Sequence, residues 1–192
     1  MAANLANLGI TTRLAGCVGE DTEGEKLMRI VADMGIGTQG IFKSKQHPTI
    51  TKTRIMSSHQ QMVRLDQENR DCFSDDETQQ LLELTNNLLA ERPSIVILSD
   101  YAKGVLSPKL CASLITECKR LKVPVLADPK GRDYSKYHGA TALTPNKRET
   151  AETCNVDARD EAALLQAAAE LRKTLALEFL AVTRGEEGIS LI

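Results

Sequence analysis

Apolar positions in this chain follow two spacings. Short unbroken runs at 95–98, 124–127, 142–143 and 179–182 are bounded by polar residues and are too short for helices, which predicts buried strands over 95–99, 123–127, 141–144 and 179–183. Between them the apolar residues return every three or four positions. Ser74-Asp75-Asp76-Glu77 has the spacing of a capping box and opens a helix bearing Leu81, Leu84, Leu88 and Leu89. Ser107-Pro108 places a capping hydroxyl before a proline at the first helical position, and Leu110, Leu114, Ile115, Cys118 and Leu121 then form one stripe. Further helices are expected from about 147 to 154 and over 158–175, the second with Leu164, Ala167, Ala168, Leu171 and Leu175 inward. Strand–helix alternation of this kind predicts an α/β fold, a mostly parallel sheet flanked by helices.

The first third of the chain is patterned differently. A small-residue helix over 2–8 closes at Gly9, a strand runs from Arg13 to Val18, and Asp21 or Thr22 caps a helix ending at Gly35. Leu27, Ile30, Val31 and Met34 are its expected buried face. Residues 49–66 hold two polar or alternating strands, around Thr51-Lys52-Thr53-Arg54 and Gln60 to Asp66, joined near Ser57-Ser58-His59. Alternation predicts a hairpin outside the main sheet, a small lid able to cover a cleft, and His47-Pro48 is expected simply to begin it.

Composition narrows the class of partner. The chain has 192 residues, enough for one domain with a substantial core. Its net charge of −2 gives no basic field for nucleic acid or anionic lipid, and 3% aromatic residues without tryptophan exclude a base-stacking platform. No apolar run approaches the ~20 residues of a membrane span, and the N-terminus lacks the basic and apolar regions of a signal peptide. A cytoplasmic protein with a small-molecule partner, no nucleic acid and no membrane is expected. Cys17, Cys72, Cys111, Cys118 and Cys154 show no paired spacing, so reduced structural thiols are expected. His59 and His138 are expected at the surface, without metal-like spacing.

The chemistry concentrates where the strands end. In a parallel sheet ligands bind outside the carboxyl ends of the strands, so four such endings describe one edge of a cleft. Ser99-Asp100-Tyr101-Ala102-Lys103-Gly104 and Asp128-Pro129-Lys130-Gly131 each place an acid, a base and a glycine there, suited to a phosphate but also to a plain turn. Thr144-Pro145-Asn146-Lys147-Arg148-Glu149 sets an amide and a carboxylate at a helix N-terminus. There Glu149 either completes a capping box with Asn146 or holds a water of Mg²⁺. Thr183-Arg184-Gly185-Glu186-Glu187-Gly188 is a glycine-bracketed turn, either a hairpin connection or a nucleotide contact through the Thr183 hydroxyl and the Gly185 backbone. Neither a Walker-type loop nor a dinucleotide fingerprint is present.

Taken together these endings resemble those of the ribokinase-like (PfkB) carbohydrate kinases. The stretches 47–54, 60–66, 98–104 and 128–134, with Gly139-Ala140-Thr141 leading to Thr144-Pro145-Asn146, are similar to the heptose 7-phosphate branch of that family. The resemblance implies a ribokinase-like fold and ATP-dependent phosphorylation of heptose 7-phosphate at its anomeric hydroxyl, giving the 1,7-bisphosphate for lipopolysaccharide core synthesis. Another sugar or nucleoside kinase of the family, or a ligand-binding remnant without catalysis, are the alternatives. It further implies that Asn146, Lys147, Arg148, Glu149, Thr183, Arg184 and Gly185 bind ATP, with Glu149 reaching Mg²⁺ through water. Asn4, Arg54, Arg64, Asp100, Lys103, Asp128 and Lys130 would bind the sugar phosphate, and the hairpin is a candidate surface for a homodimer.

Two family segments set an expectation about extent. Members begin with a strand and a Gly-Gly-Ala-Ala-Asn segment, of which Met1-Ala2-Ala3-Asn4 matches the end, and their general-base aspartate lies in a Gly-Ala-Gly-Asp segment that residues 1–192 do not contain. The expectation is a partial kinase domain over 1–192, truncated at both termini, with no catalytic base of its own and little activity alone.

Overall fold

In the computed structural model every residue except 59, 70 and 72 is described, and the chain divides into two units, Met1–Leu88 and Leu89–Ile192. The expectations for His59 and Cys72 lie outside the described residues.

The first unit starts with α1 (Ala2–Asn7), after which Gly9 takes a left-handed φ of 78°. β1 (Arg13–Gly19) then pairs in parallel with β2 (Gly37–Ser44) across α2 (Thr22–Asp33). Asp21 is the N-cap of α2, its Oδ1 accepting from the Gly24 N–H at 2.7 Å. Of the four residues expected to face inward, only Val31 is buried; Leu27, Ile30 and Met34 are 41%, 51% and 47% exposed. The reason is the width of the support: two strands about 5 Å apart cannot cover an apolar stripe that spans ~100° of a helix.

β3 (Thr51–Ser57) and β4 (Gln60–Gln67) form the expected hairpin, a two-stranded sheet that pairs with no other strand among the described residues. His47 does more than introduce it. It is buried, and its Nδ1 lies 3.2 Å from Glu77 Oε1, which also accepts from the Ser44 hydroxyl at 2.5 Å. Glu77 belongs to the capping box of α3 (Asp75–Ala90), accepting from Ser74 N at 3.1 Å while Ser74 Oγ accepts from Glu77 N at 3.2 Å. One carboxylate therefore starts a helix and fixes the root of the hairpin.

The second unit is a five-stranded sheet in the order β5 (Val96–Ser99), β6 (Val125–Asp128), β7 (Ala142–Leu143), β8 (Phe179–Thr183) and β9 (Ile189–Leu191). The first four are parallel and adjacent, so their carboxyl ends share one edge, and β9 returns antiparallel to β8. α4 (Pro108–Leu121) connects β5 to β6; α5 (Lys147–Cys154) and α6 (Glu161–Thr174) connect β7 to β8. Ser107 caps α4 through Leu110 N at 3.2 Å, and Leu110, Leu114, Ile115 and Cys118 are buried as the stripe requires. Ala127, Leu143, Leu164, Ala168, Leu180 and Val182 complete a dry core.

The four described cysteines are free. Cys111 and Cys118 are fully buried, and burial pushes both thiols up to about 11. Little thiolate exists there at pH 8, so neither is expected to react with iodoacetamide until the chain is unfolded; mass mapping of alkylated peptides before and after denaturation checks this.

Candidate functional site

The strand edge of the second unit gathers Asp100, Asp128, Lys130, Asn146, Glu149 and Thr183 as the sequence predicts. Ser99 and Asp128 are register partners at the ends of β5 and β6, and Asp100 N donates to Asp128 O at 3.0 Å, so the two acidic endings lie side by side. On the other side of β7, Asn146 bridges Thr183, whose N–H donates to Pro145 O at 3.0 Å.

Asp100 is buried and fully engaged. Its Oδ1 accepts from Ala102 N at 2.6 Å, closing a turn that holds Ala102 at a left-handed φ of 53°, and its Oδ2 accepts from Lys136 Nζ and Tyr137 Oη, each at 2.5 Å. Burial pushes this carboxyl up, but the donors from Lys136, Tyr137 and Ala102 outweigh it and hold the group below its ordinary 3.8. Sequence reading missed Lys136 and Tyr137, which lie on a three-residue 3₁₀ turn, Ser135–Tyr137, with no periodic signal of its own. Lys103 sits half-buried in the same loop as Asp100.

Asp128 has the opposite environment. Among the described residues its carboxylate accepts no hydrogen bond, and burial, reinforced by Glu149 and Asp100 and opposed by Lys130, raises its pKa above the ordinary 3.8. Lys130 Nζ instead pairs with Glu149 Oε1 at 2.9 Å, which raises the pKa of the ammonium. Glu149 Oε2 accepts from Asn146 N at 3.1 Å and Asn146 Oδ1 accepts from Glu149 N at 2.9 Å, so the capping box is formed.

The remaining nucleotide candidates divide. Lys147 Nζ meets Glu187 Oε2 at 3.0 Å and Arg184 pairs with Glu161, whereas Arg148 points outward, 85% exposed, to Glu152 one turn on. Gly185 adopts a φ of 62° with open space where a Cβ would stand, in the 3₁₀ turn that joins β8 to β9. The hairpin connection is thus real, and the backbone there is also accessible. A shallow pocket of about 390 Å³ lies elsewhere, where Lys119, Arg120 and His138 flank the start of the strands.

In the first unit Asn4 is exposed on α1. Arg54 and Arg64 are direct cross-strand partners in the hairpin, on the face that also carries Lys52 and Asp66. Arg64 Nε reaches Asp66 Oδ1 at 2.9 Å and Lys52 Nζ reaches Asp66 Oδ2 at 3.1 Å; Arg54 makes no ion pair among the described residues. The opposite face shows Ile55, Val63 and Leu65, at 49%, 46% and 55% exposure.

Among the described residues no group of three or more His, Cys, Asp or Glu side chains is placed to hold a metal ion. A single carboxylate at the start of α5 suits a hydrated Mg²⁺ carried on a nucleotide's phosphates, and not a cage built by the protein. No described helix is long and apolar enough to cross a membrane.

A four-stranded parallel run with acids, ammonium groups and an open glycine turn at its carboxyl edge in one unit, and a separate two-stranded hairpin in the other, are the parts of a ribokinase-like fold. Residues 1–192 match the pfkB family carbohydrate kinases, and the chain belongs to that family. It is 58% identical over 192 residues to the bifunctional protein HldE of Methylobacillus flagellatus and 45% identical over 194 residues to that of Magnetococcus marinus. Both alignments cover all of this chain but only 39% and 40% of those proteins, so the chain spans about two-fifths of the curated relatives it matches. Among solved structures it is similar to Arabidopsis thaliana ribokinase complexed with ribose and ATP (22% identity, TM-score 0.74) and to Escherichia coli phosphofructokinase-2 in complex with potassium (19%, 0.76). Each of these likenesses covers 100% of this chain and 61% of the other, and shows the ribokinase-like fold.

Proposed function

We propose that this chain supplies ATP and sugar-phosphate contacts to a kinase that transfers the γ-phosphoryl group to the anomeric hydroxyl of heptose 7-phosphate, as part of a cytoplasmic ribokinase-like domain. The observation that carries the reading is Asp128: a carboxylate at the strand edge, without a hydrogen-bond donor of its own among the described residues and crowded by Asp100 and Glu149. A group left in that state suits a ligand hydroxyl that would donate to it. Lys130 beside it suits an anionic sugar; within the other unit, the cationic face of the hairpin, with Arg54 opposite Arg64, by itself suits a phosphate, which would relieve like charges paired across strands.

Asn146, Thr183, Arg184 and the Gly185 backbone are assigned to the nucleotide, with Lys147 and Arg148 along the first turn of α5. Mg²⁺ on the nucleotide would supply charge neutralisation of the transferring group, with Glu149 holding one of its waters. What the chain's own residues do is position: the strand edge orients the sugar and the α5 N-terminus orients phosphate. The residues described are accordingly assigned the binding and orientation of both substrates.

Isothermal titration tests the reading directly. Heptose 7-phosphate and ATP with Mg²⁺ should each bind, heptose 7-phosphate more tightly than ribose, fructose 6-phosphate or adenosine, while a coupled assay on the 192 residues alone stays far below the ~1–100 s⁻¹ usual for kinases. Tighter binding of an unphosphorylated sugar, or turnover in that range, would refute it.

The apolar face of the hairpin is assigned to a second copy of the chain, since Ile55, Val63 and Leu65 form a row exposed in water. Leu65→Lys should shift a dimer to monomer in light-scattering chromatography; an unchanged mass would remove this surface from the reading.

A further inference from the structure

We infer that Lys136 and Tyr137 are positioning residues for the sugar-phosphate site, holding the loop after β5 and the loop after β6 at a fixed spacing from one 3₁₀ turn; this rests on the reading of that edge proposed above.

The geometry is specific. Lys136 Nζ donates to Asp100 Oδ2 at 2.5 Å and to Leu106 O at 3.1 Å, so one ammonium grips both the beginning and the end of the 100–106 loop. Its side chain is only 17% exposed and it lies 5.2 Å from the centroid of the Tyr137 ring. Tyr137 is wholly buried; its hydroxyl donates to the same Asp100 oxygen at 2.5 Å and accepts from Lys130 N at 3.5 Å. The phenol oxygen thus stands between the Asp100 carboxylate and the backbone of the Asp128–Lys130 loop. Tyr134, buried on the same segment, packs edge-on against the Tyr137 ring at 6.0 Å and fixes its plane.

Neither side chain is free to touch a ligand. Tyr137 has no exposed surface, and the Lys136 ammonium is committed to two oxygens. Their influence on a substrate has to pass through Asp100, the 100–106 loop that includes Lys103, and the placement of Lys130 beside Asp128. A charge-assisted bond in a dry setting defines position more sharply than one in water, and a ligand that bonds to both loops reads any change in their spacing.

Tyr137→Phe keeps the ring and removes the hydroxyl; Lys136→Met keeps the stem and removes the charge. Each is expected to weaken heptose 7-phosphate binding about tenfold, the scale of a hydrogen bond to a charged group, with ATP binding unchanged. Lys136→Arg should recover most of the loss. In an Asp100→Asn background Lys136→Met should add little, since the two act in series. Equal losses for sugar phosphate and ATP, or unchanged sugar-phosphate affinity, would overturn the assignment.

A second measurement separates this from the choice of substrate. Hydrogen exchange on the free chain should show Tyr137→Phe speeding the amides of Ala102 and Lys130 together while the middle of α4 is unaffected. If wild type does not bind heptose 7-phosphate, the substrate reading fails, yet coupled exchange still upholds the joining of the two loops. If only one of the two amides responds, the joining itself is wrong.

Discussion

Asp128→Asn is expected to raise the melting temperature at pH 7, while sugar-phosphate binding falls tenfold or more, by roughly 1.5–3 kcal/mol. The two effects have one cause. Burial and the neighbouring carboxylates of Glu149 and Asp100 raise the pKa of Asp128, with Lys130 only partly offsetting them, so its negative charge costs the folded state. An acid whose folded pKa lies above its unfolded 3.8 loses stability as pH rises from 3.8 through the folded value, and the full penalty remains above it. The advantage of asparagine should therefore be complete at neutral pH and vanish in acid, where wild type is already neutral. Melting curves across that range with parallel titrations decide it; a variant that gains no stability, or binds normally, removes Asp128 from the site.

Asp100→Ala should act in the reverse sense and more strongly. It strands the Lys136 ammonium and the Tyr137 hydroxyl in a dry setting, and breaking one side of such a pair costs about 3–5 kcal/mol, or roughly 10 °C and more in melting temperature. Burial alone would raise the Asp100 pKa, but the three donors hold it below 3.8, so its contribution is complete above that value and lost as pH falls through the folded pKa. Wild type and variant should therefore converge only in strong acid. Thermal unfolding followed by circular dichroism at pH 7 and below 3 measures the gap, and a gap independent of pH would show that the ion pair does not carry the stability.

Adjacent carboxylates at one edge thus have pKa values displaced in opposite directions, and the sequence distinguishes them poorly. Ser99-Asp100 and Ala127-Asp128 look alike: an acid after an apolar strand, followed within a few residues by a lysine and a glycine. What separates them is the turn at Ser135–Tyr137, whose donors reach Asp100 across 36 and 37 positions of chain. Short apolar runs bounded by strong caps located β5 to β8 well, because burial on both faces and capping chemistry are local properties. β2 escaped notice because Gly37 and Gly40 break its pattern, and the Gly40 position is crowded by Ala15 and the Leu14 backbone of the neighbouring strand, leaving no room for a side chain. The wider role of His47 is hidden for a related reason: nothing near it in sequence announces Glu77, thirty residues away. The capping box at Asn146 was legible from spacing alone, as was the open turn at Gly185.

The hairpin carries a consequence in its register. Arg54 meets Arg64 and Ile55 meets Val63, so cations and apolar groups alternate across the ribbon, and the pairing shifts by one residue between Ile55 and Met56. That irregularity works as a phase lock, since each side chain faces opposite to its neighbour and a slip of one position would exchange the two faces. Deleting a single residue between Thr53 and the bulge would reverse the phase of the strand segment beyond the deletion relative to its root. Charge count and composition would scarcely change, yet the ribbon's polarity would be inverted from that point on. Length in β3 is accordingly under tighter constraint than identity, and substitutions that preserve the alternation should be tolerated where insertions are not.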